Sequence, residues 1–253
     1  MRYSVGDMQK YKMLLHYRGT RYSGWQIQKD RPTIQGILQE AIQQVAGERA
    51  SVVGAGRTDS GVHARGQVAH FRLGGEIPAP ALRGQLNGVL PWDIRVIRLA
   101  PAAATFHAQR DAIKKRYEYR IYNGPVLSPF LHNLALQVRR KMDVEAIQEA
   151  AGLLCGEHDF SAFAASGSRV KSRTRTTMLS RIRSRGLHLC YQIEADGFLH
   201  HMVRNIVGTL LEVGTGRRSV DEITTILKSQ DRRNAGPTAP PHGLYMMRVY
   251  YEA

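Results

Sequence analysis

The chain has 253 residues, 43% of them hydrophobic, and Lys plus Arg exceed Asp plus Glu by 36 to 21, a net charge of +15 with a pI near 10.2. Such a chain is long and apolar enough for one large domain or two of ordinary size, which excludes a disordered polymer. No apolar run approaches the roughly eighteen residues of a membrane span, and Met1 to Lys12 lacks the apolar stretch of a secretory signal, so the expected compartment is the cytoplasm.

In chain order, Tyr11 to Tyr17 reads as a first strand. Arg18 to Trp25 reads as a loop that sets two arginines among aromatics, side chains that touch phosphate and stack. Ile34, Ile37, Leu38, Ala41, Ile42 and Val45 recur at helical spacing behind Pro32-Thr33, predicting a helix from Thr33 to Val45. Val52-Val53 then enter Gly54-Ala55-Gly56, and the alternating run Gln67 to Phe71 leaves the stretch, so two strands bracket a tight loop centred on Arg57-Thr58-Asp59. Glycines at 54, 56 and 61 suit a loop that presents one short carboxylate at fixed geometry. A helix from about Ala81 to Asn87 and a strand from Ile94 to Leu99 complete a β-α-β-β-α-β order, the ferredoxin-like arrangement.

The second half repeats the pattern. Lys115 to Tyr122 alternates as a strand broken by Asn123-Gly124-Pro125, and Asp143 to Leu154 is a helix. Thr176 to Arg183 and Leu187 to Glu194 form a hairpin around Arg185-Gly186. A helix from His200 to Val213 ends at Gly214 and Gly216; a short helix from Val220 to Leu227 and a strand from Tyr245 to Tyr250 follow. The fold class expected is therefore α+β, with two ferredoxin-like halves, 1–112 and 113–253. Pseudo-twofold symmetry, a mainly antiparallel sheet with helices on one face and a binding cleft go with it.

Charge of this sign calls for a polyanion, and most of the cations are Arg, whose planar fork binds phosphate bidentately and stacks on bases; nucleic acid is favoured over lipid. From Ser161 to Ile193 there is no acid, while Arg169, Lys171, Arg173, Arg175, Arg181, Arg183 and Arg185 accumulate. Pattern alone leaves this segment open between a solvated face and an RNA contact. Beside it, Ala164 to Ser168 is small and polar, as suits a loop that orders on binding. Cys155 and Cys190 have no C-x-x-C partner and no His pair at ligand spacing, so neither a disulfide framework nor a zinc site is supported and buried thiols are expected.

Strand followed by Gly54-Ala55-Gly56 opens like a dinucleotide fingerprint, but Asp59 stands where the third glycine belongs and would face the pyrophosphate. Phosphate-loop, zinc-protease and serine-hydrolase signatures do not occur. Taken alone, Asp59 in Asp-Ser-Gly is good turn chemistry. The whole string Gly56-Arg57-Thr58-Asp59-Ser60-Gly61-Val62-His63-Ala64, however, resembles the catalytic loop of the tRNA pseudouridine synthase A family.

That resemblance extends over nearly the whole chain, through Tyr22-Ser23-Gly24-Trp25-Gln26, Leu90-Pro91-Trp92-Asp93-Ile94, Lys115-Arg116-Tyr117-Glu118-Tyr119, Gly156-Glu157-His158-Asp159-Phe160 and Phe198-Leu199-His200-His201-Met202-Val203-Arg204-Asn205. Arg18, where the family usually has Asp, and Gln109-Arg110, where it has an Arg-aromatic pair, depart from it. The resemblance implies an isomerase that converts uridine to pseudouridine at positions 38 to 40 of the tRNA anticodon stem-loop, as a homodimer, with no cofactor and no metal. It implies Asp59 as the catalytic carboxylate, Tyr117 stacking on the target uracil, Arg204 pairing with the aspartate, and Arg57 helping the base leave its stem. Strand spacing by itself does not choose between Tyr117 and Tyr119, which share a face. His63, His200 and His201 read as hydrogen-bonding or packing residues, and Gly208, one turn from Arg204, leaves room for a neighbouring loop.

Overall fold

The computed structural model describes residues 8–165 and 171–252; the small polar loop from position 166 onward, and Arg169 with it, lies outside the described residues. The chain divides into two compact units, Met1–Ile113 with Met246–Ala253, and Lys114–Tyr245.

In the first unit, strand β1 (Gln9–Tyr17) turns Tyr11, Met13, Leu15 and Tyr17 inward at the period of two that a half-buried strand requires. Helix α1 (Ile34–Ala46) starts where the Thr33 hydroxyl accepts a hydrogen bond from the Gly36 amide at 3.3 Å, and buries Ile34, Leu38, Ala41 and Ile42. Truncating one such fully buried side chain costs about 2–5 kcal/mol. Strands β2 (Val53–Gly54) and β3 (His63–Leu73), helix α2 (Ala79–Val89) and strand β4 (Ile94–Pro101) follow. All pairings are antiparallel: β1 lies between β3 and β4, and β2 joins β3. The order β4-β1-β3-β2 is the ferredoxin-like order read from the sequence.

β3 begins at His63, four residues before its alternating run. A bulge hides its start, because β1 pairs Leu15 with Gln67 but Tyr17 with Ala64, so the two-residue period is interrupted there.

The second unit is built on β5 (Lys114–Tyr122), with β6 (Leu136–Gln137) running parallel beside it. Next come α3 (Val144–Gly152), capped by the Asp143 carboxylate accepting from the Ala146 amide at 3.0 Å, and β7 (Gly156–Asp159). β8 (Thr174–Arg185) and β9 (His188–Ala195) form the expected hairpin, and the antiparallel order is β5-β9-β8-β7. Tyr117, Tyr119 and Ile121 of β5 are buried on the same face as Leu189, Tyr191 and Ile193 of β9. Helices α4 (Met202–Gly214) and α5 (Glu222–Ser229) follow, then β10 (Leu244–Tyr250), which from Met246 onward belongs to the first unit, where it lies beside β3.

Two local readings are corrected. Helix α4 starts two residues after His200, because His201 takes a left-handed conformation (φ 62°) as its cap, and Gly214 is the last helical residue and not a stop. The cysteines are not buried thiols: Cys155 is exposed and Cys190 half-buried, with the Cys190 thiol pushed up to about 12, chiefly by desolvation and then by Glu118. Among the described residues no helix is long and apolar enough to cross a membrane.

Candidate active site

In the first unit, Asp59 is half-buried and opens a β-turn that the Val62 amide closes onto the Asp59 carbonyl at 3.1 Å. Gly61, at the third position of that turn, has φ 80°, a conformation that other residues reach only under strain. The turn is held against the loop that follows β1. Trp25 donates its backbone N–H to the Thr58 carbonyl at 3.0 Å, and Ser60 donates its hydroxyl to the Tyr22 carbonyl at 3.1 Å. The two backbones touch so closely that a Cβ on Gly24 would stand 2.6 Å from the Thr58 oxygen.

Beneath the turn lies a buried polar layer. The Tyr17 hydroxyl is 2.9 Å from Thr58 Oγ1, Gln67 Nε2 donates to the Gly56 carbonyl at 2.8 Å, and His63 Nδ1 accepts from the Gly19 amide at 3.0 Å. Burial pushes the Tyr17 hydroxyl up to about 12, so it stays protonated throughout the neutral range. The layer fixes Thr58, and with it the direction in which the next residue, Asp59, leaves the chain. Tyr17→Phe removes the bond to Thr58 Oγ1 and the longer one from Gln67 Nε2 at 3.5 Å, each about 0.5–1.5 kcal/mol of stability at most by thermal denaturation, and is expected to lower turnover several-fold at a temperature where the variant is fully folded. Unchanged turnover in the folded variant would show that this layer does not position the loop.

The aromatics between Arg18 and Trp25 do not serve as base-stacking groups. Tyr22 and Trp25 are buried, and Tyr22 donates to Asp93 Oδ1 at 2.6 Å, its hydroxyl held well above the ordinary tyrosine range by burial and by that carboxylate. Arg21 pairs with the same Asp93 at 3.5 Å, and Arg18 stacks over Trp92 at 5.3 Å. Arg57, by contrast, is exposed at the rim of the turn.

In the second unit, Tyr117 sits on β5 with 7% of its surface exposed and its ring in edge contact with Phe198, centroids 4.8 Å apart. Tyr119, on the same face, is fully buried and donates its hydroxyl to the Pro240 carbonyl at 2.7 Å, so it belongs to the core. Arg204, half-buried near the start of α4, donates Nε to the Ala239 carbonyl at 2.7 Å, and the Ala239 amide donates back to the Arg204 carbonyl at 3.0 Å. The loop beside Gly208 is the segment 236–239: a Cβ on Gly208 would stand 1.6 Å from the Pro237 oxygen. Asn205 anchors this segment, accepting from Thr238 Oγ1 at 2.7 Å and from Arg232 at 3.1 Å while donating to the Phe163 carbonyl at 2.8 Å. Its long-range partners leave no periodic trace in the sequence.

A family model described as tRNA pseudouridine synthase matches residues 13–109 and 150–252. The chain belongs to the tRNA pseudouridine synthase family. It is 45% identical over 244 residues to tRNA pseudouridine synthase A of Thermoanaerobacter pseudethanolicus, with 96% of this chain and 100% of that protein covered. To the enzymes of the same name from Acetivibrio thermocellus and Myxococcus xanthus it is 43% identical, again over 96% of this chain and over 100% and 92% of theirs. Membership of the tRNA pseudouridine synthase family makes it an isomerase acting on uridine in tRNA.

For a tRNA pseudouridine synthase the arginine-rich strand matters, and the structure divides it. Register shifts between Thr177 and Leu179, so the alternation changes phase at Met178. Arg181, Arg183 and Arg185 therefore stand opposite the buried Ser180 and Ile182, on a face of paired charges. There Arg181 donates to Gln192 at 3.0 Å, Gln192 donates to Glu118 at 2.8 Å, and Lys114 and Arg116 bind Glu194 at 2.7 and 2.8 Å. Arg175 falls in phase with the buried Thr177 instead.

Proposed function

We propose that this isomerase acts on the uridines at positions 38 to 40 of the tRNA anticodon stem-loop, in the cytoplasm and as a homodimer, with Asp59 as its catalytic carboxylate. The observation that carries the reading is a half-buried carboxylate at the first position of a turn whose backbone is tied on both sides, in the loop that resembles the family's catalytic loop. Uridine becomes pseudouridine when the N1–C1′ bond breaks, the base turns, and C5 bonds to C1′. C5 then loses a proton and N1 gains one, so atoms and electrons balance within the nucleoside.

Tyr117 is the aromatic platform for the uracil. Its hydroxyl-bound neighbour Tyr119 has no ring face to offer, being enclosed in the core. Arg57, exposed beside the turn, enters the stem as the base leaves it, as a flipped nucleotide requires. Arg204 serves as the cation that the resemblance pairs with the aspartate. A carboxylate in a water-poor site needs such a counterweight, because desolvation favours its neutral form.

The test is release of tritium from tRNA transcripts carrying 5-tritiated uridine, incubated with the purified protein alone, followed by mapping of the modified positions. Release with products at 38, 39 or 40 is expected; release mapped elsewhere would reject the site, and no release would reject the enzyme. Binding to tRNA is also expected to be strongly salt-dependent, given the net charge of +15. The logarithm of the association constant should fall linearly with the logarithm of salt concentration, by about 0.7–0.9 per phosphate contacted. A flat response in a filter-binding titration would reject the electrostatic reading.

A further inference from the structure

The phase change at Met178 puts two cations together at the end of the sheet that carries Tyr117. In register, Lys115 of β5 lies opposite Ala195 of β9, and Ala195 lies opposite Thr177 of β8. Lys115 therefore stands on the face of Tyr117, two residues along, and Arg175 on the same side of β8, two residues before Thr177. Arg175 lies across Gly197, whose Cβ would be 2.9 Å from the Arg175 Nε, and the next residue, Phe198, is the one in contact with Tyr117. No carboxylate pairs with either cation among the described residues. Burial, and then the neighbouring charge of Arg175, holds the Lys115 ammonium below the ordinary lysine range. On the same rung the Thr177 hydroxyl is buried and makes no hydrogen bond among the described residues, a second unmet demand at one place.

Like charges placed side by side, with no carboxylate paired to either, are what an anion would stabilise. We propose that Lys115 and Arg175 together hold a phosphodiester of the RNA adjacent to the target uridine, fixing the strand as the base lies against Tyr117. Arg181, Arg183 and Arg185 take no part in that contact, since the phase change places them on the opposite face. The proposal rests on the reading of Tyr117 as the uracil platform.

Its test measures binding, not turnover. Anticodon stem-loop RNAs are made with one phosphodiester at a time replaced by a neutral methylphosphonate, scanned across the loop. Wild-type protein is expected to lose affinity at one of the phosphates flanking the target. Arg175→Gln and Lys115→Gln are expected to lose about tenfold for the unmodified RNA and to lower the salt slope by about one, while becoming indifferent to that same methylphosphonate. Arg183→Gln should keep the wild-type loss of affinity at that same methylphosphonate.

If variant and methylphosphonate losses simply multiply at every position, the pair holds no phosphate there and the proposal fails. Arg175 also donates to the Ser172 and Thr174 carbonyls, at 3.0 and 2.6 Å, the bonds on which a merely structural role would rest. Arg175→Lys separates the two, because retained charge restores sensitivity to the methylphosphonate even where those bonds are lost, and a structural role would leave it unrestored. Should wild-type protein release no tritium, the functional reading fails while the phosphate test still gives its own answer.

Discussion

Asp59→Ala is expected to abolish tritium release, by more than about a thousandfold, or some 4 kcal/mol in the barrier, while tRNA binding stays equal or grows slightly tighter. The sign of the binding change discriminates: the substitution deletes a negative charge from a site that receives a polyanion, so affinity does not fall. No other Asp or Glu lies between Glu48 and Glu76, so no neighbour in the loop replaces the lost group. The turn itself survives, because the bond that closes it runs from the Val62 amide to the Asp59 backbone carbonyl. Were Asp59 only a turn residue, the variant would be less stable, by about 0.5–2 kcal/mol if the residue worked like a helix cap, yet its folded fraction would turn over normally. A folded, RNA-binding Asp59→Ala protein that keeps more than roughly a tenth of wild-type turnover, a barrier change under about 1.4 kcal/mol, overturns the assignment.

Gly208→Ala is expected to be the most damaging single methyl group in the second unit. Its Cβ would stand 1.6 Å from the Pro237 oxygen and 2.8 Å from the Pro237 carbon, and backbone atoms cannot swing aside as a side chain does. Segment 236–239 must then lift from α4. With it go the bond from the Ala239 amide to the Arg204 carbonyl and the one from Arg204 Nε to the Ala239 carbonyl, so Arg204 loses its fixed direction. Overpacking of this kind costs about 3 kcal/mol or more, a fall in melting temperature of roughly 6–12 °C for a protein of this size. Gly84→Ala is the matched control. Gly84 is exposed inside α2 with nothing within 4 Å of its Cβ, so alanine there should stabilise by about 0.5–1 kcal/mol through helix propensity alone. A Gly208→Ala melting curve that overlays the wild type would mean that the segment does not pack on this helix as described.

Several parts of the fold were legible because they obey a local period. Tyr11, Met13, Leu15 and Tyr17 alternate in β1, and Ile34, Leu38, Ala41 and Ile42 share one side of α1, so each element announces its inward face within a dozen residues. The β-α-β-β-α-β succession of the first unit follows from those elements, and it is the succession of the split ferredoxin-like arrangement, in which β1 lies between β3 and β4. The short strands β6 and β7 were not legible: Leu136-Gln137 and Gly156-Glu157-His158-Asp159 have too few alternating apolar residues to signal a strand, and their pairing comes from the neighbour that each one meets.

At the site the same division holds. The amino-acid order alone determined the loop around Asp59, the aromatic run containing Tyr117 and the helix bearing Arg204, because each is a contiguous string whose chemistry is written in neighbouring residues. Only the tertiary structure decided that Tyr22 and Trp25 are core and not stacking surface, and that Tyr119 spends its hydroxyl on Pro240. It alone decided that the arginines of one strand part at Met178, with Arg175 beside the Tyr117 face and Arg181, Arg183 and Arg185 opposite. The physical reason is that a side chain's face depends on an unbroken count of residues from its partner strand. A bulge changes that count by one, and its presence is set by hydrogen bonds to a strand distant in the chain, which no window of local sequence contains.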